Sequence, residues 1–423
     1  MRSWFRMLTV ATGIGALGVA PLAWGQEEEE ASSRTRVMPA EMELDASKRT
    51  AEADRKRDES IENLKRIIAR LDAGPQKSEL LFQLAEIWIE KAKAVYFQEW
   101  AEYDAKINQY FECVDAQGEE ACGERPEPEH RQSTVYTDEA LRLYEQILKD
   151  SPNYPRKDEV LFSLATNLYN KGEAYHATAI QRYRDLVTQY PNSRFVGDAY
   201  VAMGNHFFES NDLGRATDAF TRALENSVDE PRVYNYALYK LAWCEYNGGE
   251  YEGALQKFQE VADRAELAQR RNEIQLRNEA FRDMVLVWQK LEMVEEAHEY
   301  YQRKVNRSEA RRLFARLAHK YFSDGDHALA IRSYRLLIDG DANDPLNPGY
   351  QKNIVESYEG LRERDKVLEE MRILVDNYKP GSAWAIANKD NENALRSAYD
   401  ITEEAMRNLV TDYHREAQRT KEV

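Results

Sequence analysis

The chain of 423 residues carries 58 Lys and Arg against 75 Asp and Glu, a formal charge of −17. That balance argues against nucleic acid or anionic lipid as the principal ligand, because both demand a positive footprint. Twelve prolines and nineteen glycines are few for this length, and the Tyr-, Ala- and Glu-rich usage favours helices, arranged as two or three compact domains or as one extended solenoid.

Residues 1–25 combine Arg2 and Arg6 with an apolar run, the helix-breaking Pro21 and Ala23-Trp24-Gly25, and read as a cleavable secretory signal. An uncleaved anchor is the competing reading, since Met7 to Gly25 is just long enough to span a bilayer. No cysteine lies near the cleavage point, so a lipoprotein modification is not expected, and after cleavage the chain is expected in the periplasm or outside the cell rather than in the membrane. Residues 26–57 begin with the acidic run Glu27 to Glu30 and read as a disordered or weakly helical leader. An N-terminal capping helix is placed in 58–77, with Ile61, Leu64, Ile67, Ile68 and Leu71 on one face and Gly74-Pro75 as its stop.

Between Asp198 and Ala223, Tyr200, Met203, Gly204 and Phe207 fall at i, i+3, i+4 and i+7. A turn at Asn211-Asp212 leads to Ala216, Phe220 and Ala223 on a second helix. A small residue is needed where two helix backbones cross closely, with bulky residues around it. The small residue of the second helix recurs as Ala140, Ala179, Ala216, Ala254, Ala297, Ala330 and, substituted, Val367, at intervals of 33 to 43 residues. Four residues after each stands Tyr, Phe or Met. Seven after each stands a packing residue, Lys304 alone departing.

This pattern resembles the tetratricopeptide repeat family, with its 34-residue hairpin of W-x2-L-G-x2-Y and A-x3-F. The resemblance covers residues 78–380, as about seven irregular hairpins, and implies an all-α fold, a right-handed superhelical solenoid. Tyr190-Pro191-Asn192-Ser193 followed by Asp198-Ala199 is similar to repeats of bacterial envelope proteins of the outer-membrane assembly and Tol–Pal-associated kind. A looser resemblance is to periplasmic repeat proteins of deltaproteobacterial gliding motility.

An insertion at 108–137 interrupts the first hairpin, whose first helix carries Trp88, Tyr96, Trp100 and Tyr103. Cys113 and Cys122 lie in that insertion, and in an exported protein they are expected to form a disulfide worth ~2 to 3 kcal/mol by chain entropy. Cys244 reads as a buried packing thiol. After Pro380, residues 381–423 read as a capping helix and tail, with Leu395, Tyr399, Ile401, Ala405, Leu409 and Tyr413 as its apolar positions and a solvating outer face.

No nucleotide, hydrolase or zinc motif is present, and the seven histidines are scattered. His319 and His327, the closest pair, fall on a helix and beyond its turn. Asp339, Asp341 and Asn343 begin like a calcium loop, but Asp344 stands where Gly is required, and an acidic linker is the better account. No cofactor, metal or enzymatic role is therefore expected.

The resemblance implies a concave groove lined by the first helices. Its positions carry over to Phe162, Thr166 and Tyr169; Val201, Asn205 and Phe208; Tyr239, Trp243 and Tyr246; Arg282, Leu286 and Gln289; and Ala315, His319 and Phe322. Tyr239, Trp243 and Tyr246 share one helix face, where rigid rings could anchor a peptide, and the amide of Asn205 could pair with its backbone. Packing between helices is the competing reading of these aromatics, most of all for Phe208 and Tyr246. The implied function is a non-catalytic scaffold for an envelope protein or peptide, with self-association as a further option. A cell-wall glycan- or metal-binding repeat protein with an accessory enzymatic role is the alternative.

Overall fold

The structure is a computed structural model that describes residues 40–268 and 271–421. The expected signal at 1–25 and the leader as far as residue 39 lie outside the described residues. The protein is an all-helical solenoid. Helices α1 (Ala40–Ile68), α2 (Pro75–Gln117), α3 (Arg131–Asp150), α4 (Lys157–Lys171), α5 (His176–Gln189), α6 (Val196–Glu209), α7 (Leu213–Glu225), α8 (Pro231–Gly248) and α9 (Tyr251–Ala268) follow one another. They continue as α10 (Arg271–Leu291), α11 (Val294–Lys304), α12 (Arg307–Asp324), α13 (His327–Gly340), α14 (Asn347–Gly360), α15 (Arg364–Tyr378), α16 (Ala383–Ala387) and α17 (Glu392–Lys421). Each helix from α2 to α15 packs on its successor, and α8 also touches α6 and α10, so first helices of adjacent hairpins lie side by side. Among the described residues no helix is long and apolar enough to cross a membrane.

The core follows the repeated small residue. Ala140, Ala179, Ala216, Ala254, Ala297 and Ala330 have no exposed surface. The aromatics four residues later, Tyr144, Phe220, Phe258 and Tyr301 among them, are also fully covered. The reason is visible at Gly204: a Cβ there would lie 2.6 Å from the Phe220 ring, so the ring occupies the space a side chain would need. Lys304, the departure from the pattern, leaves the core and ion-pairs with Asp263.

Charged side chains repeat with the same period. Lys91 bonds Asp58, Lys171 bonds Asp138, Arg232 bonds Asp198, Arg311 bonds Asp344 and Arg332 bonds Glu295, each pair 33 to 37 residues apart. These cross-repeat pairs are individually weak, but they neutralise acids along the edge. The loop that begins like a calcium site is held in this way: Arg307 and Arg311 engage Asp341 and Asp344, while Asp341 and Asp344 also accept from Asn343 and Leu346 amides.

Four expectations need correction. Residues 40–57, read as a disordered or weakly helical leader, are helical throughout within α1, where pairs such as Glu52 with Lys56 support the turns. Ile67, assigned to the core face of that helix, is exposed. The insertion is shorter than 108–137, because α2 runs unbroken to Gln117 and α3 begins at Arg131. Glu99, reaching across from α2, accepts the amides of Gln132 and Ser133 and so caps the start of α3. Burial works against the Glu99 charge, but the bonds from Ser133 and Gln132 win and hold its carboxyl below the usual range. The last helix buries Ala394, Ala398, Thr402, Ala405 and Leu409, and leaves Tyr399 and Tyr413 exposed instead of packed. Ahead of it, buried Trp384 on α16 donates its indole N–H to the carbonyl of Asp344, an anchor that the loss of repeat register hid.

Candidate groove on the first helices

The expected groove residues lie on α4, α6, α8, α10 and α12. Helical packing fixes their backbones, and their side chains fall into two groups. The first group is committed to neighbouring repeats. Tyr239 keeps 5% of its surface, and its hydroxyl donates to Asp283 Oδ2 on α10 at 2.6 Å. Val201 and Gln289 are buried too, the latter donating to Asp324. These three are corrections to the accessible set: neighbouring helices close over their positions. Phe162 stacks on Phe195 with centroids 4.9 Å apart, and Lys240 lies over the Phe208 ring at 4.0 Å.

The second group keeps accessible surface. Trp243 and Tyr246 are half-buried, meet edge to face at 5.4 Å, and rest on Phe258 and Tyr251. Asn205 accepts from the Tyr236 hydroxyl through its carboxamide oxygen, which leaves its NH2 group for another acceptor. Arg282 and His319 are exposed. Burial pushes the Asp283 carboxyl up to about 6, nearby Glu279 adding to the effect and the Tyr239 hydroxyl and Arg282 opposing it. Glu279 is raised by burial as well.

Tyr169 joins a cleft that sequence reading missed. Its ring stacks on His176 at 4.0 Å and its hydroxyl bonds Glu209. His206 stands edge-on, 5.6 Å from His176, with Glu173 and Ser210 completing the lining. Burial lowers the His206 pKa, and His176 lowers it further. Aligning the hairpins would have shown that His176, three residues before Ala179, and His206, two after Gly204, meet across a hairpin junction. Among the described residues no three His, Cys, Asp or Glu side chains could hold a metal ion. Cys244 is buried, which pushes its thiol up to about 11. Cys113 and Cys122 are joined by a disulfide.

Residues 159–193 and 201–268 match the tetratricopeptide repeat family, the stretch from α4 to α9 that includes Asn205 and Trp243. Among curated proteins no relative matches the chain. Among solved structures it is similar to a tetratricopeptide repeat protein from Parabacteroides merdae, at 12% identity over 71% of this chain and 98% of that one, TM-score 0.34. It is also similar to MamA, at 18% identity over 56% and 95% with TM-score 0.27. A third is YrrB, described as a tetratricopeptide repeat protein with an unusual peptide-binding site, at 21% identity over 49% and 97% with TM-score 0.26.

Proposed function

We propose that the protein is a non-catalytic, exported scaffold that holds an envelope protein or peptide against its first helices. The observation that carries this reading is the α6–α8 face, where Asn205, Trp243 and Tyr246 keep accessible surface on a frame that Tyr239, Phe208 and Phe162 hold rigid. Rigid rings and the carboxamide NH2 of Asn205, unbonded among the described residues, bind an extended chain at low entropic cost. The Cys113–Cys122 disulfide supports an oxidising compartment, and with the signal-like N-terminus it favours the periplasm. A place in outer-membrane assembly or gliding motility follows from the resemblance of the repeats and belongs to the same reading.

A photoreactive residue at position 243, crosslinked in the native cell, identifies the occupant. Trp243→Ala and Asn205→Ala are then expected to weaken binding of that purified occupant by about fivefold or more, with circular dichroism and thermal unfolding unchanged. Loss of fold with loss of binding would assign both residues to packing and end the groove reading. Self-association is a second reading, favoured by the exposed Tyr399, Met406, Val410 and Tyr413 on α17. Sedimentation that is independent of concentration would sink it.

A further inference from the structure

The α2–α3 hairpin reaches beyond the repeat frame, and this extension has a chemistry of its own. Tyr96, Trp100 and Tyr103 share a face of α2 at i, i+4 and i+7 and form a row with small interplanar angles. Tyr96 and Trp100 lie at 15° and Trp100 and Tyr103 at 20°, with His130 stacked on Tyr96 at 4.5 Å. Phe97 is 51% exposed and Tyr96 40%. Three devices hold the row in place: the disulfide, the Glu99 cap on α3, and the burial of Ile107 and Tyr110. The surface is therefore organised before anything binds.

Elsewhere on the same hairpin, rings of this kind carry cations supplied by the chain. Lys65 and Lys91 lie 5.1 and 5.7 Å from Trp88, Lys91 lies 4.7 Å from Tyr136, and Arg125 covers Phe111 at 5.6 Å. Over Tyr96, Phe97, Trp100 and Tyr103 no lysine or arginine stands, among the described residues. The acids show the same vacancy. Between Tyr96 and Arg131 ten carboxylates stand against three Lys or Arg. Glu102, Asp104, Glu112, Asp115, Glu124 and Glu127, all within this one stretch, make no ion pair among the described residues; there the only ion-paired acids are Glu99, with His130, and Glu129, with Arg131.

We infer that this extension is a second docking surface, separate from the groove, for a basic segment of a partner protein whose Lys and Arg side chains lie over the aromatic row while the surrounding carboxylates match their charge. An exposed ring face attracts a cation through its quadrupole, and unpaired carboxylates add attraction that salt screens. Anionic lipid and nucleic acid would be repelled by the same charges.

The test uses the oxidised full chain and a fluorescein-labelled peptide of alternating arginine and glycine, with a glutamate–glycine peptide as control, read by fluorescence anisotropy. Phe97→Ser is expected to weaken binding of the arginine peptide about two- to fivefold, and Phe97→Ser with Trp100→Ser further. Glu102→Lys with Asp104→Lys is expected to cost about tenfold or more. The same reversal on the body, Glu225→Lys with Asp229→Lys, is expected to cost less than about twofold at the same net charge. Trp243→Ala is expected to leave this binding unchanged, so failure of the groove reading is told apart from failure of this one. Equal losses from the two charge reversals would reduce the effect to net charge and overturn the proposal. Full binding by Phe97→Ser would do the same, as would binding of the glutamate peptide. Ring-dependent capture of a cell-wall glycan with no effect of charge reversal would assign the row to saccharide instead. If the double ring variant lost helicity, Phe97→Ser, at an exposed position, and the charge reversals would still decide.

Discussion

The body of the solenoid and the extension of its first hairpin hold themselves together by different means. In the body each hairpin has neighbours on both sides, so an alanine such as Ala216 can let two helices touch and an acid such as Asp198 can find Arg232 one repeat away. The extension has no following repeat beside it. Its helices are held by local devices, Glu99 on the α3 amides and the Cys113–Cys122 bond, and its rings and acids stay at the surface. What the neighbours supply in one region must be supplied by covalent and capping bonds in the other. The charge and aromatic surface thus spared in the extension is what makes it a candidate for recognition.

The largest expected effect falls on the body. Phe220→Ala removes a ring with no exposed surface from against Gly204 and is expected to cost ~3 to 5 kcal/mol, read from urea unfolding. Because adjacent hairpins stabilise one another, the loss should spread to α4 through α8 and be seen in hydrogen exchange across them. Confinement of the loss to α6 and α7 would break the picture of a coupled body. The next effect falls on the extension. Cys113→Ser with Cys122→Ser is expected to lower the opening free energy of residues 107–130 by ~2 to 3 kcal/mol while exchange in α6 to α13 stays as it was. Equal loss in both regions would show that the two are one cooperative unit.

The repeated parts of the fold were legible because packing repeats in sequence: Ala179, Tyr183 and Leu186 announce the same contact that Ala216, Phe220 and Ala223 make. What could not be read is what depends on contacts between hairpins or outside the repeat. Tyr239 and Trp243 look equivalent on a helical wheel, yet the neighbouring helix α10, whose Asp283 accepts from Tyr239, covers the first and leaves the second half-buried. The Glu99 cap joins residues more than thirty positions apart with no periodic signal, so α3 could not be started at Arg131 from sequence. Trp384 was invisible for the same reason: its partner is a single carbonyl at Asp344, outside any repeating position.

Asp283 is the acid that sharpens the contrast between the regions, since within the body it lies half-buried with Tyr239 and Trp243 rather than a cation as its hydrogen-bond partners. Its unfolded pKa lies near 4, and burial pushes the folded value up to about 6. Below pH ~4 the carboxyl is protonated in both states and contributes its full share of stability. Between pH ~4 and ~6 the unfolded chain releases the proton while the folded chain keeps it, so that share falls as pH rises through the folded value and is gone above it, a change of roughly 2 to 3 kcal/mol. Asp283→Asn keeps an oxygen for the Tyr239 hydroxyl and abolishes the titration. The stability of the variant relative to the parent is therefore expected to grow between pH 4 and pH 7, as read from urea unfolding at each pH. A difference that does not vary with pH would mean that Asp283 ionises as freely in the folded body as in water. In that case the body would tolerate an unpaired acid at no cost, and the scarcity of cations over the extension would lose its meaning as a contrast.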